Sequence, residues 1–245
     1  MTGAFLNAIG ILLGGLWGLA LRKPLSLRTQ VFFRSALGLS VIFFGWRLVW
    51  LSQGGPFLSA LAQFLTALLA VTLGFWTGKL LHLQKWSNRL GRRAGNVIAT
   101  AQTNAPREAG DGIAACTVLF CAAPLGWLGA VTDGLSGYCW LLAVKAIMDA
   151  LAMTSFVKIF RWPAALSALP VLVLLGGITL GCRLGVAPFL DAHSLHEHTL
   201  INSVNAAAGL IACAVALVIF EVRKVELANF LPGLALAPLL AWWFG

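Results

Sequence analysis

The chain has 245 residues, 60% hydrophobic and only 10% charged, whereas a soluble domain carries roughly 25% charged residues. A mean hydropathy of +0.89 and so few polar side chains exclude a water-soluble globule, so lipid must be the solvent for most of the exterior. The net charge of +9 sits in short clusters between apolar runs, without aromatic interleaving, and this excludes nucleic acid as a partner.

About eight apolar runs are long enough to span a bilayer. The first, residues 3–21, carries Asn7 and the stripe Gly10, Gly14, Gly18. Small residues four apart let helix backbones approach closely in lipid, so this stripe reads as a packing or dimerisation face, as do Gly74 with Gly78 and Gly177 with Gly181. The opening Met-Thr-Gly-Ala-Phe-Leu lacks a basic n-region, so the first run is expected to remain as a helix. The second run, 31–51, places Arg34 and Arg47 near opposite ends, within snorkelling reach of the interfaces. The third covers 57–81 and is followed by the polar segment 84–111, which reads as a basic connector lying on the membrane surface.

The fourth run, 112–135, places Pro124, Gly126 and Gly129 at mid-membrane and Asp133 near its end. Pro124 removes a donor and frees the carbonyl four residues earlier. At that depth a freed carbonyl must be buried in protein or line a wet cavity, so a packing kink and a ligand site both fit. The fifth run, 138–160, contains Lys145 and Asp149, one turn apart on one helix face. A charge near the bilayer centre costs at least ~2.5–3.5 kcal/mol on insertion scales. The pair is therefore either a functional site or a structural ion pair that neutralises itself.

The sixth run covers 164–186. The loop after it holds Asp191, Glu197 and the histidines His193, His196 and His198, whose loose spacing reads as a solvated loop rather than a metal site. The seventh run, 200–220, opens with Asn202 and Asn205 on one face, suited to interhelical hydrogen bonds or cation coordination. The eighth covers 227–244. The five cysteines, Cys116, Cys121, Cys139, Cys182 and Cys213, lie in apolar segments without CxxC spacing and read as packing residues. The ten Trp fall mostly near run ends as interfacial anchors.

Charge fixes an expected orientation. The odd-numbered loops hold the basic clusters: Arg22, Lys23 and Arg28; Lys85, Arg89, Arg92, Arg93 and Arg107; Lys158 and Arg161; Arg223 and Lys224. The even-numbered loops hold no Lys or Arg, so the odd loops face the cytoplasm and both termini the periplasm. The chain is expected to be one all-α, polytopic transmembrane bundle. Residues 1–83 form a first three-span group, 84–111 the cytoplasmic linker, 112–160 a central pair of spans and 161–245 a last three-span group.

Those outer groups share landmarks: Leu12-Leu-Gly-Gly15 matches Leu174-Leu-Gly-Gly177, and Ala36-Leu-Gly-Leu39 matches Ala208-Gly-Leu210. If spans one to three correspond to spans six to eight, the five-span offset makes them an inverted repeat, a plan common in secondary transporters. Chance recurrence in a Gly- and Leu-rich chain accounts for the same matches.

The segments Gly112-Ile-Ala-Ala-Cys through Asp133-Gly-Leu-Ser-Gly137 and Ala143-Val-Lys-Ala-Ile-Met-Asp149 resemble the central signature of the YqgA/YdfK-like bacterial inner-membrane proteins. Asn7 with Gly14, Gly15 and Gly18, and Asn229-Phe-Leu-Pro232, resemble the other landmarks of that family. The resemblance implies a multi-spanning inner-membrane protein with Asp-Gly…Lys…Asp as a hallmark, and it brings no substrate. The chain departs from it at Arg161-Trp-Pro163, where the resemblance implies a Gly-rich turn.

The leading expectation is a small secondary transporter or permease for an ion or small solute. Its polar centre would gather Lys145, Asp149, Asp133, Asn7, Asn202 and Asn205 beside the break at Pro124. The alternative is a non-transporting scaffold in which glycine stripes build a homo-oligomer and the ion pair is architectural. No nucleophile–base set lies inside a span, so an enzyme is not expected, nor is a cofactor.

Overall fold

The computed structural model describes residues 1–21, 26–102, 109–193, 199–222 and 225–244. Arg22, Lys23, Pro24, Arg107, His196, Glu197, His198, Arg223 and Lys224 lie outside the described residues. Among the described residues every regular element is a helix, and the protein is an all-α polytopic bundle. Seven helical runs are long and apolar enough to cross a bilayer, and a bent pair makes up an eighth.

The first three spans are single helices: α1 (Thr2–Ala20), α2 (Leu27–Leu51) and α3 (Phe57–Leu80). At 1.5 Å per residue the 19 residues of α1 reach about 28 Å, close to the hydrocarbon thickness. The polar connector is itself a helix, α4 (Leu83–Gln102). Its Ala94, Val97 and Ile98 join the core around Cys116 and Phe120, while Lys85, Arg89, Arg92 and Arg93 point outward. The amide of Gln84 secures its start by hydrogen-bonding the backbone N–H of Ala228, and the Gln84 N–H donates to the Asn229 side chain.

The fourth span breaks into α5 (Ala109–Ala122) and α6 (Pro124–Ser136), which meet at 64°. Ala123 is extended and Pro124 occupies the first position of α6, where its missing N–H disrupts no bond within that helix. Next come α7 (Trp140–Phe160) and α8 (Ala168–Gly181), the latter entered through the 3₁₀ stretch Trp162–Ser167. A π-helical turn, Cys182–Val186, leads from α8 into α9 (Ala187–Ala192). After α10 (Thr199–Ile219), a second 3₁₀ turn, Leu227–Phe230, precedes α11 (Gly233–Phe244).

Close approaches at glycine set the helix directions. A Cβ on Gly10 would sit 2.7 Å from the Ala146 carbonyl, one on Gly14 2.5 Å from Ala150 Cα, and one on Gly18 2.6 Å from Thr154 Cα. The two numbers rise together, so α1 and α7 run parallel. Gly45 packs on Gly209 and Gly38 on Phe220, so α2 and α10 are antiparallel. Gly74 meets Gly233 and Gly78 meets Asn229, so α3 and α11 are antiparallel too. A parallel α1 and α7 require the α5–α6 pair to carry the chain across the bundle. The bent pair is one broken span rather than a re-entrant loop.

These directions define two ends. Met1, the α2–α3 turn and the α6–α7 turn share one end. Lys79, Lys85, Arg89, Arg92, Arg93, Lys158 and Arg161 gather toward the other. Trp46, Trp50, Trp242 and Trp243 stand exposed near the first end, and Trp76, Trp86 and Trp162 near the second. Two aromatic belts result, as interfacial anchoring requires.

The turn after α7 explains one departure from the family resemblance. Arg161 adopts φ 66°, ψ −163°, a region in which essentially only glycine is unstrained and other residues cost about 1–3 kcal/mol. A glycine is what the resemblance implies at this turn. Arg161→Gly should therefore raise the unfolding free energy by about 1 kcal/mol, measured by thermal unfolding in micelles. A lowered melting temperature would contradict this.

Candidate functional site

Lys145 and Asp149 lie on the inner face of α7, Lys145 being 1% and Asp149 6% exposed. Asp149 falls at the middle of the helix. The ammonium donates to the Asp149 carboxylate as a buried ion pair. Side chains on a helix lean toward its N-terminus, so the Asp149 carboxylate reaches back to the level where α1 presents Asn7 and Gly10.

The α1 glycine stripe brings these groups together. Because Gly10, Gly14 and Gly18 have no side chains, α1 rests directly on the Ala146, Ala150 and Thr154 stripe of α7. The Asn7 amide then sits on the α7-facing side of α1, between the Gly3–Leu142 and Gly10–Ala146 contacts. It is fully buried, and neither its oxygen nor its nitrogen completes a hydrogen bond among the described residues. A buried polar group left unsatisfied costs about 1–3 kcal/mol, so this amide is held where its stability is not served.

The broken span forms the opposite wall. The Lys145 Nζ stands 5.8 Å from the centroid of the Phe120 ring, the last aromatic of α5. Gly126, in the first turn of α6, leaves room for the lysine stem, since a Cβ there would sit 2.8 Å from Lys145 Cε. The Trp127 indole N–H donates to the Cys121 carbonyl at 2.9 Å and so satisfies one acceptor exposed by the break. Outside the break, Ser87, Asn88, Gly91 and Arg92 of α4 and Leu119, Ala122 and Ala123 line an open recess of about 510 Å³. That recess ends one residue short of Pro124.

The other expected members of the polar centre lie elsewhere. Asp133 is buried near the first end of the bundle, where its carboxylate accepts the Gly3 N–H at 3.0 Å and pairs with the Met1 amino group at 3.2 Å. It acts as a cap on α1, seven residues and about 10 Å of helix rise from Gly126. Asn205 receives the Ser136 hydroxyl at 3.4 Å, joining α10 to the α6–α7 corner. Asn202 lies a further turn toward the same end. Interhelical hydrogen bonding is the plainer reading of the two amides, and the Ser136 contact favours it for Asn205.

The glycine positions divide as well. Gly74 and Gly78 pack tightly within the chain, whereas a Cβ on Gly177 or Gly181 would meet no neighbouring atom within 4 Å among the described residues. Among those residues the second of these expected stripes has no intrachain partner. His193 hydrogen-bonds the Phe189 carbonyl through Nδ1 at 2.8 Å. Phe120 was not anticipated as a neighbour of the pair. Its signal was position: an aromatic one turn before a mid-membrane proline.

Comparison with known proteins agrees with the membrane architecture. The profile of the family described as "Protein of unknown function (DUF554)" matches residues 2–242. The chain is 28% identical to the uncharacterized protein YqgA of Escherichia coli (strain K12) over 245 residues, covering 99% of this chain and 97% of that protein. It is 22% identical to the uncharacterized membrane protein YdfK of Bacillus subtilis (strain 168) over 240 residues, covering 98% and 95%. No solved structure matches it.

Proposed function

The chain belongs to the DUF554 family, and from that premise we propose that it is a small secondary transporter or permease for an ion or small solute. Its site is Lys145 and Asp149 with Asn7, under the break at Pro124. One observation carries the reading: beside a buried ion pair lies a buried amide with no hydrogen-bond partner among the described residues, next to a span broken at the same depth. Ionisable groups and irregular backbone both cost free energy inside a membrane, and they coincide where a pathway needs them.

The protein resides in the bacterial inner membrane, crossing it repeatedly, with both termini periplasmic. The gathering of basic side chains at the α3–α4 end supports that orientation under the positive-inside rule. An inverted repeat fits as well. The helices it would relate, α1 with α8, α2 with α10 and α3 with α11, pack antiparallel against one another, with Gly176 beside Ala4, Gly45 on Gly209 and Gly74 on Gly233 among the contacts.

The test is flux. Wild-type protein in proteoliposomes should pass protons, Na⁺ or K⁺ above the rate of empty vesicles, read with ion-sensitive dyes under an imposed gradient. Asp149→Asn should return that rate to the vesicle baseline while the protein remains folded and monodisperse. Flux persisting in Lys145→Met/Asp149→Leu would remove the pair from the pathway. A scaffold is the second reading, favoured by the direct pairing of Lys145 with Asp149. It predicts no flux for any of these ions.

A further inference from the structure

The Asn7 amide demands an explanation that the ion pair alone does not supply. An ammonium has three donors and a carboxylate about four acceptor positions, so a pair meant only to neutralise itself would recruit the adjacent amide. Asn7 instead leaves its amide oxygen without a partner among the described residues, on the face of α1 that the Gly3–Leu142 and Gly10–Ala146 contacts turn toward α7. Carboxylate and amide oxygens are the donors that hard cations take. Among the described residues Asp149 is the one carboxylate at this level of α7, which sets the charge of the guest. A monovalent ion takes that carboxylate as its counter-charge and leaves the displaced ammonium to other partners, whereas a divalent ion would add a further uncompensated charge in a low-dielectric bundle.

The ammonium has somewhere to go. Lysine carries its charge on a flexible four-carbon stem, and that stem runs through the space left by Gly126. The Phe120 ring already lies 5.8 Å from Nζ, within cation–π distance. Pro124 has no N–H, so the Phe120 carbonyl lacks its helical donor and can accept one from the ammonium. Both alternative partners belong to the last turn of α5, at the break.

We infer that Asp149 and Asn7 form an oxygen-donor site for a monovalent alkali cation, and that the Lys145 ammonium is its tethered competitor, withdrawing to Phe120 when the cation binds. The broken span then has a purpose that packing does not give it: it stores the displaced charge. The inference rests on the proposed site, and it supplies the coupling ion that site would use.

Saturable binding of radioactive Na⁺ to the purified full-length protein in detergent tests it, in choline buffer, with unlabelled Na⁺ and K⁺ as competitors. Wild type should bind, and Lys145→Met should bind about tenfold more tightly, a coupling of ordinary size. Asp149→Asn should abolish binding. Asn7→Ala, which changes no charge and so remains decisive if Lys145→Met does not fold, should weaken it about tenfold. Absence of saturable Na⁺ binding in wild type and Lys145→Met alike overturns the inference, as does binding unchanged in Asn7→Ala or Asp149→Asn. Binding without flux would sink transport and keep the site; flux without binding would do the reverse.

Discussion

Replacing Lys145 by Met is expected to destabilise the protein by about 3–5 kcal/mol in Na⁺-free choline buffer, the cost of leaving a buried charge without its partner. Asp149→Ala should cost a similar amount for the same reason. The double variant Lys145→Met/Asp149→Leu should recover most of the loss, because two apolar side chains of similar volume owe nothing for desolvation. Unfolding in micelles, followed by circular dichroism against denaturant, gives all four corners of the cycle. If the double variant were as unstable as the sum of the single ones, the side chains would be held by independent partners and the pairing would be wrong. The cycle bears on function as well: a recovered fold that has lost flux would separate what the pair does from what it stabilises.

Gly14→Leu should destabilise the bundle by at least ~3 kcal/mol. The first added carbon already meets backbone atoms of Ala150, and backbone cannot rotate away as the end of a side chain can. The change must therefore push α1 off α7 and open the site at Asn7. Gly177→Leu provides the control. With no neighbouring atom among the described residues within 4 Å of a Cβ at that position, the same substitution should shift unfolding by no more than about 0.5 kcal/mol. An equal effect at both positions would mean that propensity rather than close packing governs these glycines. Oligomeric state, followed by light scattering, distinguishes a further outcome: if Gly14→Leu only dissociates an assembly and leaves the monomer's melting unchanged, the stripe is an intermolecular face rather than the α1–α7 contact.

The fold was largely legible in the sequence because lipid makes the rules simple. A bilayer demands about 18 or more apolar residues per span, and eight such runs were visible. Arg28, Lys85, Arg89, Lys158 and Arg161 mark the ends of those runs, and the structure gathers them toward one end of the bundle. The break at Pro124 was equally plain, since a missing N–H acts whatever surrounds it. The connector was less legible. Its composition is polar, and only the spacing of Leu83, Ser87, Gly91, Ala94 and Val97 betrays an amphipathic helix with one face for α5. The strain at Arg161 had no signature beyond a resemblance.

Local chemistry determined the candidate site only in part. Lys145 and Asp149 are one turn apart on a single helix, so their pairing follows from helical geometry without any tertiary information. Asn7, Asp133, Asn202 and Asn205 are identical in kind on the page: buried-grade polar groups in apolar runs, each able to serve a ligand, a cap or a neighbouring helix. Which of them joins the pair depends on the direction and register of helices more than a hundred residues apart. That was decided by the Gly10, Gly14 and Gly18 stripe sliding α1 along Ala146, Ala150 and Thr154 until backbones touch. The contact turns Asn7 toward α7 between Leu142 and Ala146 and leaves Asp133 to cap α1 at Gly3. Periodicity along one chain specifies the faces a helix owns. Only steric fit between two helices, a short-range and long-separated interaction, specifies what each face meets.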